Sequence, residues 1–258
     1  MVYDEMKIEN ISDYIKTIIE MNSVNDGLIC YRGHANKDWS LIPKIQRDFD
    51  VSEEEIFSYE RFYTSFFYKR NIADDSENEK LEEFVGCLLD MKQHELPTRL
   101  LDWYVSPLTA LYCAVSDESE KKKDGCVWIL KPEKLNVFES LCEDYFIFDL
   151  SDETILTMLY TAFEKWEFAG CENRITISGG QSVNHKLEAV KGKIAACYND
   201  ANGRRYNQHM VCTVHNTIRR MTDIYDESIL TRIIIPSNKK TTLLQQLSVC
   251  GITDSSIF

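Results

Sequence analysis

The stretch LPTRLLDWYVSP sets a cation, Arg99, three residues before an anion, Asp102, inside an otherwise apolar run. A guanidinium presents a planar fork of donors that fits a carboxylate or a phosphate, and an aspartate accepts hydrogen bonds or carries a proton. Trp103 adds a flat face on which a ring can stack, and Ser106 with the amides that follow it offers an anion site. A second arginine stands in CYRGH, where Arg32 leaves an apolar run just before Gly33, a residue that admits close approach to the backbone. An unpartnered, half-buried arginine costs on the order of 3 kcal/mol, so an anion is expected beside Arg32. Asp102 is one choice and a ligand phosphate, held bidentately, is the other. GRRYNQH collects Arg204, Arg205, Gln208 and His209 ahead of a strand-like MVCTVH, although a solvated basic turn fits the same letters. His94 and His215 have acid–base chemistry, but neither has a nucleophile or carboxylate at a diagnostic spacing. On spacing alone, Arg32, Arg99 and Asp102 also read as an internal network in which Arg99 bridges backbone carbonyls and Asp102 accepts from amides.

The elements that must hold these residues follow from periodicity. Ser12 followed by DYIKTIIEM predicts a capped amphipathic helix, and LICYRG a buried strand that ends in a glycine turn. SEEEIFSYERFYTSFFYKR and LEEFVGCLLDMKQH predict two more helices, separated by the acidic ADDSENEK. TRLLDWY reads as a loop between Pro97 and a helix SPLTALYCAV, with Ser106 as cap and Pro107 at the first helical position. GCVWIL and ILTRIIIP predict strands, and KKTTLLQQLSVCG a helix closed by Gly251. TILTMLYTAFEKW and HKLEAVKGKIAACY read as helices around a glycine-containing loop. The expected fold is α+β, a single compact domain over 1–258. A helical segment occupies 1–27, and in the core, 28–258, a helix-rich N-terminal half packs on a small mixed or antiparallel sheet.

Composition narrows the classes of function. The chain has 258 residues, 44% of them hydrophobic, with 29 Lys and Arg against 42 Asp and Glu. A net charge of −13 disfavours nonspecific attraction to nucleic acid. No apolar run of membrane-spanning length occurs and MVYDEMKIEN lacks the pattern of a signal peptide, so a cytoplasmic protein with no membrane partner is expected. The nine cysteines form no C-x-x-C pair and read as buried free thiols; the histidines form no metal-ligand spacing.

YRG at 31–33, WSLIPKIQR at 39–47, KQHELPTRLLDWYVSPLTALYCAV at 92–115, RRYNQH at 204–209 and RIIIPSNKKTTLLQQLSVCGITDSSIF at the end resemble, in order, the blocks of the FRG domain family, named for its Phe/Tyr-Arg-Gly motif. The sequence departs from the family pattern at Glu95, where glycine is common, at Tyr104, where Thr or Ser is favoured, and at Met210, where Gln-x-Gly is usual. A weaker resemblance links YRG and SPLTALYCAV to ADP-ribosyltransferases of the arginine-serine-glutamate type. That resemblance implies an ADP-ribosyltransferase-like fold with NAD as cofactor, its pyrophosphate or nicotinamide ribose on Arg32 and an aromatic ring on Trp103 or Trp39. Gln208 takes the place in chain order of that type's late glutamate.

Together the resemblances imply a bacterial or mobile-element toxin or defence effector that performs ADP-ribosyl transfer or NAD hydrolysis. Its partners would be a nucleotide or NAD, with a protein acceptor or an antitoxin. A noncatalytic nucleotide- or phosphate-binding module is the alternative, and a ligand-free structural network a third reading. The candidate catalytic set is Arg32, Arg99, Asp102 and Gln208. The candidate ligand-binding set is Tyr31, Gly33, Trp39, His94, Thr98, Trp103, Ser106 and Arg205.

Overall fold

Asn10, rather than Ser12, starts the first helix: its side-chain oxygen accepts from the Asp13 N–H at 3.0 Å, and the Asp13 carboxylate accepts from the Glu9 N–H in return. The structure is a computed structural model that describes residues 8–22, 27–48, 52, 55, 58–60, 62–63, 88–92, 94–150, 152–160, 190, 192–198 and 210–257. In chain order its main elements are α1 (Ile11–Asn22), β1 (Cys30–His34), α2 (Lys44–Asp48), β2 (Leu100–Tyr104), α3 (Pro107–Val115), β3 (Gly125–Leu130), α4 (Pro132–Phe138), β4 (Phe148–Asp149), α5 (Glu153–Tyr160), β5 (Ile194–Tyr198), β6 (Met210–His215), β7 (Leu230–Ile235), α6 (Lys240–Val249) and α7 (Asp254–Ile257). Residues 88–92 and the described residues among 55–63 are also helical. The strands form one mixed seven-stranded sheet in the order β4-β5-β6-β2-β1-β3-β7, in which only β4 and β5 run parallel. The fold is α+β.

Two segments differ from expectation. LLDWY is a central strand rather than a loop, and it alternates: Leu101 and Trp103 face one side of the sheet, Leu100, Asp102 and Tyr104 the other. The IAACY end of the expected second central helix is β5, buried along most of its length between β4 and β6. Gly192, at φ +73°, turns the chain just before it. Alanine and isoleucine at these positions fill tight space on both faces, and burial overrides helix propensity.

Apolar side chains cover both faces. On one, Tyr31, Val127, Ile129, Ile233 and Ile235 pack against α1, α3 and α6. Further along the same face, Leu100, Ala195, Cys197, Cys212 and Val214 meet α5 and residues 88–91. On the other face Cys30, Leu101, Trp103, Trp128 and Val211 lie under Leu41, Leu135, Met221 and Ile224. Ser106 caps α3 as expected, accepting from the Thr109 N–H. Among the described residues no helix is long and apolar enough to cross a membrane. The cysteines there are free thiols, but they are not all buried: Cys250 is exposed and Cys113 and Cys142 are half-buried.

Two backbone positions explain family letters. A Cβ at Gly33 would sit 1.9 Å from the Ala110 carbonyl oxygen, and one at Gly125 2.6 Å from that of Ala114, so α3 lies directly on the glycines of β1 and β3. Close approach at Gly33 is real, but what approaches is a helix and not a ligand. Glu95 has φ 56°, the left-handed region, in the turn that follows residues 88–92. The family's glycine there is a backbone preference, and glutamate carries a strain of about 1 kcal/mol. Urea midpoints should therefore move in opposite directions: Glu95→Gly gains about 0.5–1 kcal/mol, while Gly33→Ala loses about 2–3 kcal/mol by pushing α3 off the sheet.

Candidate functional site

Arg99, at the entrance to β2, is completely enclosed. Its backbone N–H donates to Glu60 Oε1 at 2.8 Å and its Nε to Oε2 at 2.5 Å. Nη1 donates to the Met158 carbonyl at 3.0 Å and to Asn216 Oδ1 at 2.8 Å, and Nη2 to the Leu159 carbonyl at 2.6 Å. Both carbonyls belong to α5. Arg99 is thus the counter-charge of Glu60 and a donor to two carbonyls of α5, and it has no face to offer a ligand. The expectation that it clamps a phosphate is corrected; bridging carbonyls is what it does.

Trp103 is corrected likewise. Its ring is fully buried and its indole N–H donates to Thr213 Oγ1 at 3.2 Å, so it stacks on no guest. Tyr31 is buried under α1, where its hydroxyl accepts from Asn22 Nδ2 at 2.9 Å. Thr98 is buried, with its carbonyl accepting from the Ile45 N–H. Ser106 is spent as a helix cap. His94 is exposed in the turn beside Glu95. Arg205 and Gln208 lie outside the described residues.

Arg32 is different. β1 pairs with β3 at five positions and β2 with β6 at five, yet β1 and β2 register only through Tyr31 and Tyr104. Beyond that pair the Arg32 side chain takes over from the ladder, with Nη1 donating to the Asp102 carbonyl at 2.7 Å and Nε to His34 Nε2 at 3.3 Å. No carboxylate pairs with it among the described residues. The Asp102 carboxylate, the sequence's first choice, forms an ion pair with Lys92 instead. Burial, and then the neighbouring Arg47 guanidinium, push Arg32 down to about 10. A cation that meets a second cation and no anion has electrostatic capacity left over.

The groups around Arg32 keep the site cationic. His34 and His215 are held neutral by burial and by the Arg32 charge, with Arg47 adding to the effect at His34; both are pushed down to about 3. The Trp39 backbone pulls His34 weakly the other way, and the Trp39 ring, 41% exposed, meets the His34 ring edge-on at 6.1 Å between centroids. Trp128 is the register partner of Arg32, and Arg232 lies over its ring at 5.2 Å. Three buried polar atoms here have no hydrogen-bond partner, His34 Nδ1, Trp128 Nε1 and His215 Nδ1. Thr213 Oγ1 meets His215 Nε2 at 2.9 Å.

Lys92, Arg47, His34 and Trp128 were not picked out from the sequence as site residues. Lys92 sits in an amphipathic helical stretch and Arg47 at an exposed position of a short helix, where a cation ordinarily faces water. His34 could have been found, because strand alternation puts it on the face of Arg32. Among the described residues no group of three or more His, Cys, Asp and Glu side chains is arranged to hold a metal ion.

What these elements define is an α+β protein with a cationic seam at the centre of its sheet. Residues 28–123 match the family model of the FRG domain, and that stretch of the chain is an FRG domain. It contributes β1, β2 and α3, the three elements that frame Arg32, while β3 to β7 lie beyond the match. Comparison with curated proteins and with solved structures finds no match. The likeness to ADP-ribosyltransferases rests on the sequence motifs alone.

The neutral histidines set a pH dependence. Unfolded, each takes up a proton near 6.5; folded, each resists until about 3. Between those values the unfolded chain binds more protons, so stability is full above about pH 7 and falls as the pH drops. At pH 5 the loss is roughly 2 kcal/mol per histidine. Urea midpoints at pH 7.5 and 5 should show it, and His215→Gln should reduce the difference by that amount; an unchanged slope would contradict the assignment.

Proposed function

We propose that the FRG domain of this chain binds a phosphate-bearing nucleotide, with the phosphate on Arg32 and Arg47 at the β1–β2 seam. The carrying observation is that neither guanidinium is paired with a carboxylate among the described residues, although Arg32 is half-buried. A phosphate supplies the missing charge and accepts in the bidentate geometry that a guanidinium prefers. The indole N–H of Trp128, buried without a partner beside Arg32, is a further donor to such an oxyanion. Trp39, exposed at the same place, offers the ring face on which a base or nicotinamide can stack. NAD and ADP are the ligands to try first.

This is the binding-module form of the reading. Turnover of NAD, the other form, needs a group that assists a developing cation at the ribose, and Asp102 is the available carboxylate. Its side chain points to the opposite face of the sheet from Arg32 and is tied to Lys92, which favours binding over chemistry.

Thermal unfolding with pyrophosphate, ADP and NAD tests the proposal. At a hundredfold excess over Kd a ligand adds about 2.7 kcal/mol, a rise in midpoint of roughly 5 °C for a chain of this size. Arg32→Gln should remove the rise and leave the unliganded midpoint equal or higher, because the charge it deletes has no anionic partner among the described residues. Arg99→Met should do the reverse: it costs about 3–5 kcal/mol by removing the cation paired with the buried Glu60 carboxylate, yet the protein that remains folded keeps its response to ligand. No shift with any of the three ligands, or a full shift in Arg32→Gln, would overturn the assignment. Release of nicotinamide from NAD, lost in Asp102→Asn, would move it to the catalytic form.

A further inference from the structure

Cys197 on β5 and Cys212 on β6 face each other as direct partners in an antiparallel pair, and their sulfurs lie 3.4 Å apart. Both are completely enclosed, in the apolar layer between the sheet and α5. Opposed Cα atoms of antiparallel strands are about 4.5–5.5 Å apart, inside the range that a disulfide spans, so only side-chain torsions have to change for the sulfurs to bond. Apolar packing alone would be served by any small side chain, whereas two thiols in contact are an oxidisable pair.

The surroundings make the two sulfurs unequal. Cys212 is also the register partner of Asp102, whose carboxylate holds the Lys92 ammonium nearby. A hydrogen bond from Cys197 holds the Cys212 thiol below its ordinary value, with Lys92 adding to the effect and burial opposing it. Cys197, pushed up chiefly by burial, stays a thiol. Cys212 is thus the group that attacks first and Cys197 the one that resolves.

We propose that Cys197 and Cys212 are a redox dithiol, oxidised to a cross-strand disulfide by hydrogen peroxide and reopened by a thiol reductant. The Cys212 thiolate attacks one peroxide oxygen; the S–O bond forms as the O–O bond breaks, and the departing hydroxide takes up a proton as water. The Cys197 sulfur then attacks the sulfenic sulfur; the S–S bond forms, the S–O bond breaks, and hydroxide leaves with the Cys197 proton as a second water. Two thiols lose two protons and two electrons, and one peroxide becomes two waters. Peroxide is small enough to reach the pair through local opening of the sheet's outer strands.

The consequence is topological. The two cysteines stand 15 residues apart and bracket the segment that carries Arg204, Arg205 and Gln208, so oxidation ties both ends of that segment together. It also pulls on β6 at the position opposite Asp102, next to the seam. Oxidation of the dithiol is independent of whether a nucleotide binds at Arg32.

The test uses the full chain, reduced, desalted and exposed to hydrogen peroxide without denaturant, then alkylated and digested without reduction. The expected product is a loss of two hydrogens in intact mass and one cross-linked peptide pair joining Cys197 to Cys212, both reversed by dithiothreitol. Cys197→Ser should stop the reaction at a Cys212 sulfenic acid that dimedone traps. The wild-type peptide map decides the matter even if that variant fails to fold. Recovery of Cys197 and Cys212 as free thiols after the exposed Cys250 has been fully oxidised would overturn the proposal. So would a disulfide that joins either of them to another cysteine.

Discussion

Arg32 donates to the Asp102 carbonyl at the place where a neighbouring strand's amide would ordinarily do so, and the sheet is organised around that substitution. The strands on either side are continuously paired: β1 with β3 and β7, β2 with β6 and β5. Between these halves the backbone supplies one register pair and the guanidinium supplies the next link. The outer structure holds the halves in place. Helix α3 lies on Gly33 and Gly125 and so fixes β1 to β3, while Arg99 ties the entrance of β2 to Glu60, to α5 and to Asn216 beyond β6. The stretch between β1 and α2 and its continuation cross the seam, with Ile45 donating to the Thr98 carbonyl and Gln46 Nε2 to that of Thr217. The seam is a position that the surrounding packing imposes, and a ligand there would meet a preformed site.

The two arginines show how environment divides one residue type into two roles. Arg99 is buried with a carboxylate, two carbonyls of α5 and an amide oxygen, a set that offsets its desolvation and fixes three elements in one arrangement. Arg32 has a carbonyl and a neutral imidazole, both weaker than an anion, and a second guanidinium that works against it. A chain selected for stability alone would gain by placing a neutral side chain there. Local cost without local compensation is the pattern expected of a residue kept for what it meets from outside.

Sequence periodicity carried the helices with clear ends, such as α3 with its Ser106 and Pro107 start and α6 before Gly251. It failed for LLDWY and IAACY for one reason: both are inner strands. A polar residue in a strand interior looks like a loop when its partner, here Lys92, is not visible, and small apolar residues look helical when the tight space they fill is not visible. The site was half legible for a related reason. CYRGH placed Arg32 at a sheet position next to a close approach, which is correct. The fate of Arg99, however, depends on Glu60, distant in sequence and inside a helix that local pattern assigns only to packing. Glu95 is the converse case: its letter departs from the family pattern and suggests a changed pocket, but its φ shows that the pattern there is written by the backbone.

Charge bears on how a nucleotide would find this seam. The chain carries a net −13, so an anionic ligand is repelled at long range and gains nothing from steering. Screening shortens that repulsion to about 8 Å at physiological ionic strength, and inside that distance Arg32 and Arg47, with two neutral histidines and no carboxylate paired to either arginine among the described residues, set the sign of the local field. Recognition is then decided by contact and not by approach. Ligands that bring only charge, such as inorganic phosphate, must offset the same repulsion with fewer contacts, whereas one that also covers Trp39 and accepts from Trp128 gains apolar area and a hydrogen bond that the free protein leaves unmade. Under the proposed binding, the acidic surface of the chain would act as a filter that favours the larger, ring-bearing member of the phosphate-bearing class over the bare anion.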